Sequence, residues 1–175
     1  MNTTIGAGTG FASTDNATFA MSNRGADIWG TADAFQCLHT TFEGSGSLTA
    51  RLNTLDNTHV WAKAGAMFRD SLNANSKHVM VVVTPGKGVV MQWRAATGGT
   101  SSTTTSLPGT APKWLRLTRN GNTFTGFVSS DFVTWTQVGT ATLDMNVDLF
   151  AGLALTSHNT SATATAYFDD VFFSN

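Results

Sequence analysis

The sequence predicts an all-β protein, a two-sheet antiparallel β-sandwich of jelly-roll type, and three observations carry that prediction. Residues 47–55 alternate with period two, Leu48, Ala50 and Leu52 against Thr49, Arg51 and Asn53, the pattern of a half-buried strand. Similar short runs rich in Val, Thr, Phe and Trp recur along the 175 residues, divided by Gly, Asn and Pro turns. Together these runs leave almost no room for helix. Many short strands over this length pack as two face-to-face sheets, so one domain spanning 1–175 is expected.

Taken in order, the first run is 17–22, preceded by MNTTIGAGTGFAST. That Gly- and Thr-rich start, residues 1–14, reads as a linker, with no basic and apolar leader pattern. Runs 34–42 and 47–55 follow, joined by the turn around Glu43. Runs 61–69, 77–84 and 88–94 are the most apolar, and Pro85-Gly86-Lys87-Gly88 joins the last two. Residues 95–110, AATGGTSSTTTSLPGT, are low in complexity and are expected to form a long loop without core contacts. Runs 113–119 and 123–129 meet at Asn120-Gly121-Asn122, a dipeptide suited to the positive φ of a type I′ hairpin. Runs 133–140, 149–157 and 164–173 complete eleven expected strands.

Composition excludes several function classes. Only 12% of residues are Asp, Glu, Lys or Arg and the formal charge is −1, so no cationic footprint for nucleic acid exists. No run of 18 or more apolar residues offers a membrane-spanning helix. Cys37 is the lone cysteine and sits in AFQCLHTTF, which makes it a buried, inert thiol rather than half of an internal disulfide.

Catalysis finds few players. Glu43 is the single glutamate, whereas glycoside hydrolysis of the common kind needs two carboxyl groups flanking the scissile bond. Asp169 and Asp170 are adjacent in a strand and point to opposite faces. Nucleophile-elbow and zinc-protease motifs are missing from the sequence. A lyase built from Arg69, His78 and His158 is the enzyme alternative.

Binding finds more. Alternation puts Gln92 and Arg94 on one face of their run, opposite Met91 and Trp93, and puts Lys63, Met67 and Arg69 together on theirs. On neighbouring strands these would make a polar strip, extended by His78, His158 and Asn159. Amides and guanidiniums donate and accept in pairs, as sugar hydroxyls require, and an aromatic ring stacks on the apolar side of a pyranose. Trp29 and Trp61 are the expected stacking platforms, Trp93 and Trp135 are expected in the core, and Trp114 is ambiguous. The plain alternative is that the cations are solvated or paired with carboxylates such as Asp70, and that the histidines merely sit at the surface. Asp27 and Asp33 are further oxygen donors in loops, where capping is their commoner role.

The motifs DIWGTADAF, AKAGAMFRDSLNANSKH, WLRLTRNGNTF, TWTQVG, GLALTSHN and FDDVFF together resemble a bacterial family of concanavalin A-like sandwich domains described as regulation-of-enolase-like. That family is similar in turn to the sandwich domains attached to β-xylosidases. The resemblance implies a carbohydrate-binding, lectin-like accessory module of a larger secreted, extracellular bacterial protein, with a polysaccharide or oligosaccharide held on the concave sheet face. A protein-interaction or spacer role is the other implied class. By the same resemblance Asp169 or Asp170 in FDDVFF marks a structural calcium site.

Overall fold

A computed structural model describes all residues, Met1–Asn175, and contains no helix. Sixteen strands run in chain order: β1 (Asn2–Ile5), β2 (Gly8–Asp15), β3 (Thr18–Gly25), β4 (Ile28–Trp29), β5 (Ala32–Asp33), β6 (Phe35–Glu43), β7 (Gly46–Leu55), β8 (Lys63–Arg69), β9 (His78–Thr84), β10 (Gly88–Arg94), β11 (Ser101–Thr103), β12 (Lys113–Asn120), β13 (Thr123–Ser129), β14 (Trp135–Thr142), β15 (Asp148–Thr156) and β16 (Ala164–Ser174). Two seven-stranded antiparallel sheets result, in the orders β1-β6-β15-β8-β9-β10-β11 and β14-β13-β12-β7-β16-β3-β2, with β4–β5 a separate hairpin.

The sheets pack because alternate residues of both are apolar. Ala64, Ala66 and Phe68 of β8 and Val79, Val81 and Val83 of β9 meet Leu48, Ala50 and Leu52 of β7 and Leu115 and Leu117 of β12 in one buried core. This layer is the sandwich interior that period-two alternation predicts. All eleven expected runs are strands.

Three local expectations are corrected. Residues 1–14 do not form a linker: β1 pairs with β6 and β2 with β3, so the segment adds an edge strand to each sheet. Gly and Thr conceal this because edge strands need backbone pairing more than apolar side chains. Residues 95–110 likewise contain β11 on β10, and Leu107 bridges to Val89 and packs against the core. At the β12–β13 hairpin Asn120 pairs with Thr123, so the loop is Gly121-Asn122. Only Gly121, at φ 59°, takes a positive φ, which is the pattern of a type II′ turn rather than I′.

A second, smaller core lies on the outer side of the first sheet. Met67, Met80, Val82 and Val90 project there and are roofed by Ile28 of the hairpin, with Trp61, Leu72 and Ala74 packed against them. The outer face expected to be open to a ligand is therefore largely covered, by segments 25–34, 56–62 and 70–77.

Candidate functional site

Register decides where the cations go. Arg69 pairs with His78 and His78 with Arg94, so the three side chains form one row across β8, β9 and β10. The strip predicted from alternation exists, but β9 lies between the two arginine strands and the strip is roofed. Arg69 is 1% exposed and His78 and Arg94 0%. Buried guanidiniums require partners. Asp33, at the end of the hairpin, supplies the carboxylate: Arg94 Nη2 donates to Asp33 Oδ1 at 2.6 Å and Nη1 to Oδ2 at 3.0 Å, while Arg69 Nη1 donates to Oδ2 at 3.4 Å. The paired-cation alternative thus describes Arg69 and Arg94, with Asp33 as partner; Asp70 lies 3.5 Å from Lys77 instead.

These three residues do not reach a surface ligand. They position the hairpin instead. Arg94 also donates to the carbonyls of Trp29 and Gly30, each at 3.2 Å, and so holds the turn that presents the Trp29 indole. Burial pushes the Asp33 carboxyl up, and the bonds and charges of Arg94 and Arg69 pull it back down. Burial, reinforced by Arg69 and Arg94, holds His78 well below the usual imidazole range, so it is neutral. Its ring nitrogens have no hydrogen-bond partner, with Nδ1 3.6 Å from Asp33 Oδ2.

Beside the roof a pocket of about 270 Å³ is lined by Asp27, Trp29, Trp61, Lys63, Gln92, Thr103 and His158. Five of the nine residues anticipated for binding meet here: Trp29, Trp61, Lys63, Gln92 and His158. Arg69, His78 and Arg94 lie under the roof. Asn159 is not in the lining, and its Nδ2 donates to the Thr58 carbonyl at 3.3 Å.

The pocket is assembled from loops pinned to one another. Ser157, buried at the end of β15, donates to the Gly25 carbonyl at 3.1 Å and accepts from the Gly25 amide at 3.0 Å. Thr58 donates to the Ser157 carbonyl at 2.7 Å, tying in the loop that carries Trp61. His158 follows at φ 50°, a left-handed conformation that a non-glycine residue holds at a cost and that often marks a functional site. Its Nδ1 lies 3.0 Å from Asp27 Oδ1, and its ring stacks on His59 at 4.1 Å. Burial lowers the His158 pKa, with Lys63 and His59 adding to the effect and Asp27 opposing it.

Lys63 is 2% exposed and its Nζ bonds Asp27 Oδ1, which also accepts from the Ile28 amide at 2.7 Å. Burial lowers the Lys63 pKa and Asp27 offsets it. Gln92 Nε2 donates to Thr103 Oγ1 at 3.3 Å, whereas Gln92 Oε1 is buried without a partner. Asp27 is the only carboxylate in the lining, so no carboxyl pair faces a bound molecule.

Asp27 and Thr103 line the pocket without a signal in strand alternation, and His59 backs His158 from outside the lining. Asp27 reads from sequence as a loop oxygen and His59 carries no signal, because neither lies in an alternating run. Thr103 fell in the stretch expected to make no contacts. Its signal would have been the pairing of β11 with β10, which side-chain pattern does not report.

The second sheet carries an aromatic group on its outer face. Trp114, Phe132, Trp135 and Phe172 cluster with centroid separations of 4.6–6.3 Å, and the Arg116 guanidinium lies 3.9 Å from the Trp135 ring centroid. Trp93 packs against the main core as expected, but Trp135 is on this outer face. Burial of Cys37 raises its thiol pKa to about 12, in keeping with an inert group.

A calcium site here would need backbone carbonyl oxygens beside Asp169 or Asp170. Asp169 Oδ2 lies 3.7 Å from Arg51 Nη1, Asp170 is its exposed neighbour at φ 47°, and no group of three or more His, Cys, Asp or Glu side chains converges anywhere. Two adjacent carboxylates do not by themselves make the six- to eight-oxygen cage calcium takes.

No family model matches the chain and no curated protein does, so the regulation-of-enolase-like resemblance rests on its motifs alone. Solved structures do match. A functionally unknown protein from Saccharomyces cerevisiae superposes with TM-score 0.76 at 17% identity over 95% of each chain. The carbohydrate-binding module CBM66 from Bacillus subtilis gives 0.64 at 16% identity, over 99% of this chain and 95% of that one. A GH43 protein from Bacillus licheniformis gives 0.61 at 12% identity; 87% of this chain is covered but only 32% of that larger one. At these identities the likeness is one of fold.

Proposed function

We propose that this chain is a non-catalytic carbohydrate-binding module whose site is the Trp29–Trp61 pocket. The observation that carries the reading is the pairing of two indoles with a compact set of polar groups, Asp27, Lys63, Gln92, Thr103 and His158, around about 270 Å³. Apolar walls with a few placed polar groups suit a small ligand, and a space of this size suits a single sugar unit rather than a long polymer segment. Trp29 and Trp61 are the stacking surfaces, and the amide, ammonium and carboxylate engage hydroxyls. The fold shared with CBM66 and with part of a GH43 protein supports a module that serves a larger, secreted polysaccharide-acting protein.

Native affinity electrophoresis against a panel of soluble polysaccharides tests this, run with calcium and with chelator. Retardation by a defined subset, weakened by Trp61→Ala and without loss of polymer length, is the expected result. Shortening of the polymer would restore the lyase alternative, and loss of retardation in chelator would point to calcium bound by Asp169, Asp170 or the ligand.

A protein-contact role is the second reading, and the outer face of the second sheet favours it. Phe132 and Phe172, each 40% exposed, join Trp114 and Trp135 in an apolar surface flanked by Arg51 and Arg116. Absence of retardation by any glycan would leave this surface as the functional one.

A further inference from the structure

We infer that the pocket takes an uncharged, hydroxyl-donating saccharide unit and discriminates against uronic acid and sulfated units. This rests on the carbohydrate reading above and adds the chemical class of the ligand.

Charge is the first argument. Lys63 is the one lysine or arginine in the lining, and its ammonium is bonded to Asp27. A carboxylate or sulfate entering the pocket would have to share the Lys63 ammonium with Asp27 or exchange places with it, and either way would sit beside the Asp27 carboxylate. Such an exchange replaces one ion pair by another and adds a like-charge contact.

The arginines beneath do not supply a spare positive charge. Arg94 donates to the carbonyls of Trp29, Gly30, Ala74 and Ser76 in addition to Asp33. Arg69 donates to the carbonyls of Ser71 and Asn73. Their donors are aimed into the protein, and carbonyl dipoles absorb the charge that Asp33 alone does not cancel.

Hydrogen-bond polarity is the second argument, and it is independent of the first. Gln92 is 2% exposed and its Oε1 accepts from nothing in the protein. An orphaned acceptor just behind a pocket wall is satisfied by a donor from the ligand once the Gln92 side chain turns toward the pocket. Asp27 adds a second acceptor, because its contacts with Ile28, Lys63 and His158 all fall on Oδ1 and leave Oδ2 open. Sugar hydroxyls satisfy both oxygens as donors. Carboxylate and sulfate oxygens cannot donate, so each position where one of them replaces a hydroxyl beside Gln92 Oε1 or Asp27 sets acceptor against acceptor.

Isothermal titration calorimetry on the chain at low and at physiological salt tests the inference. Neutral xylo-, cello-, manno- and fructo-oligosaccharides are compared with galacturonate, glucuronate and sulfated galactan oligosaccharides of similar length. At least one neutral series is expected to bind with an affinity that salt leaves unchanged, and acidic series at least about tenfold more weakly, the factor that goes with one mispaired polar group. Gln92→Leu is expected to weaken the neutral ligand about tenfold. Asp27→Asn, which uncovers Lys63, is expected to narrow the gap between neutral and acidic ligands; near-ultraviolet circular dichroism and Tm confirm that both variants are folded. Acidic ligands binding as tightly as neutral ones, with affinity falling as salt rises, overturn the inference and leave the carbohydrate reading standing. Binding by neither class overturns that reading and this inference with it.

Discussion

Replacing Asp33 by Asn removes one negative charge from beneath the hairpin and changes almost no volume, so its effect isolates electrostatics. In the native protein this carboxylate faces Arg94 at 2.6 and 3.0 Å and Arg69 at 3.4 Å, all nearly or wholly excluded from solvent. Breaking a buried ion pair from one side costs about 3–5 kcal/mol, because the partner charge stays buried and uncompensated. Here two guanidiniums lose their counter-ion, although the Asn carbonyl still accepts from Arg94 and both arginines keep their backbone carbonyl partners. The lower end of that range, about 3 kcal/mol, is therefore expected. For a domain of this size each kcal/mol moves Tm by about 2–4 °C, so a drop of roughly 6–12 °C should appear in calorimetry, with an unchanged urea m-value. Because Arg94 also carries the Trp29 and Gly30 carbonyls, glycan affinity should fall in the same variant. A loss below about 1 kcal/mol would refute the view that Asp33 organises the roof.

The other expectations are as concrete. Trp61→Ala removes a stacking wall together with its packing on the second core, and should weaken glycan binding by about 1–2 kcal/mol, roughly five- to thirtyfold, with a modest fall in Tm. Acidification should destabilise the fold: His39, His78 and His158 are held below the ordinary value of 6.5 chiefly by burial. Below that pH the unfolded chain takes up protons that the native state does not, so stability is whole above pH 6.5 and declines as pH falls toward the native values. His78, the most deeply buried of the three, should contribute most, and His78→Gln should flatten the thermal-denaturation profile between pH 7 and 5. Gly152→Ala should abolish soluble folded protein, since a Cβ there would overlap the Leu38 carbonyl of the neighbouring strand; normal expression and Tm would contradict this.

Much of this architecture is legible in one dimension. Period-two alternation in β7 and β12 and the apolar runs of β8, β9 and β10 require strands with one face in a shared core, because a one-residue slip would turn every Leu and Val to the wrong side. The same alternation correctly set Lys63, Arg69, Gln92 and Arg94 on the face away from that core. Edge strands β1, β2 and β11 were not legible, since their stabilisation is backbone pairing that Gly, Ser and Thr provide without a pattern.

The sequence by itself determined the sandwich and the presence of a polar strip on one sheet; only the tertiary structure decided which part of the strip sees a ligand. Lys63 and Gln92 reach the pocket, while Arg69, His78 and Arg94, identical in strand periodicity, are sealed under residues 25–34 and 70–77. The physical reason is that alternation specifies a side of a sheet, whereas exposure depends on what later packs there. That covering was set by Asp33, from a hairpin of two-residue strands, meeting two arginines 36 and 61 positions away along the chain.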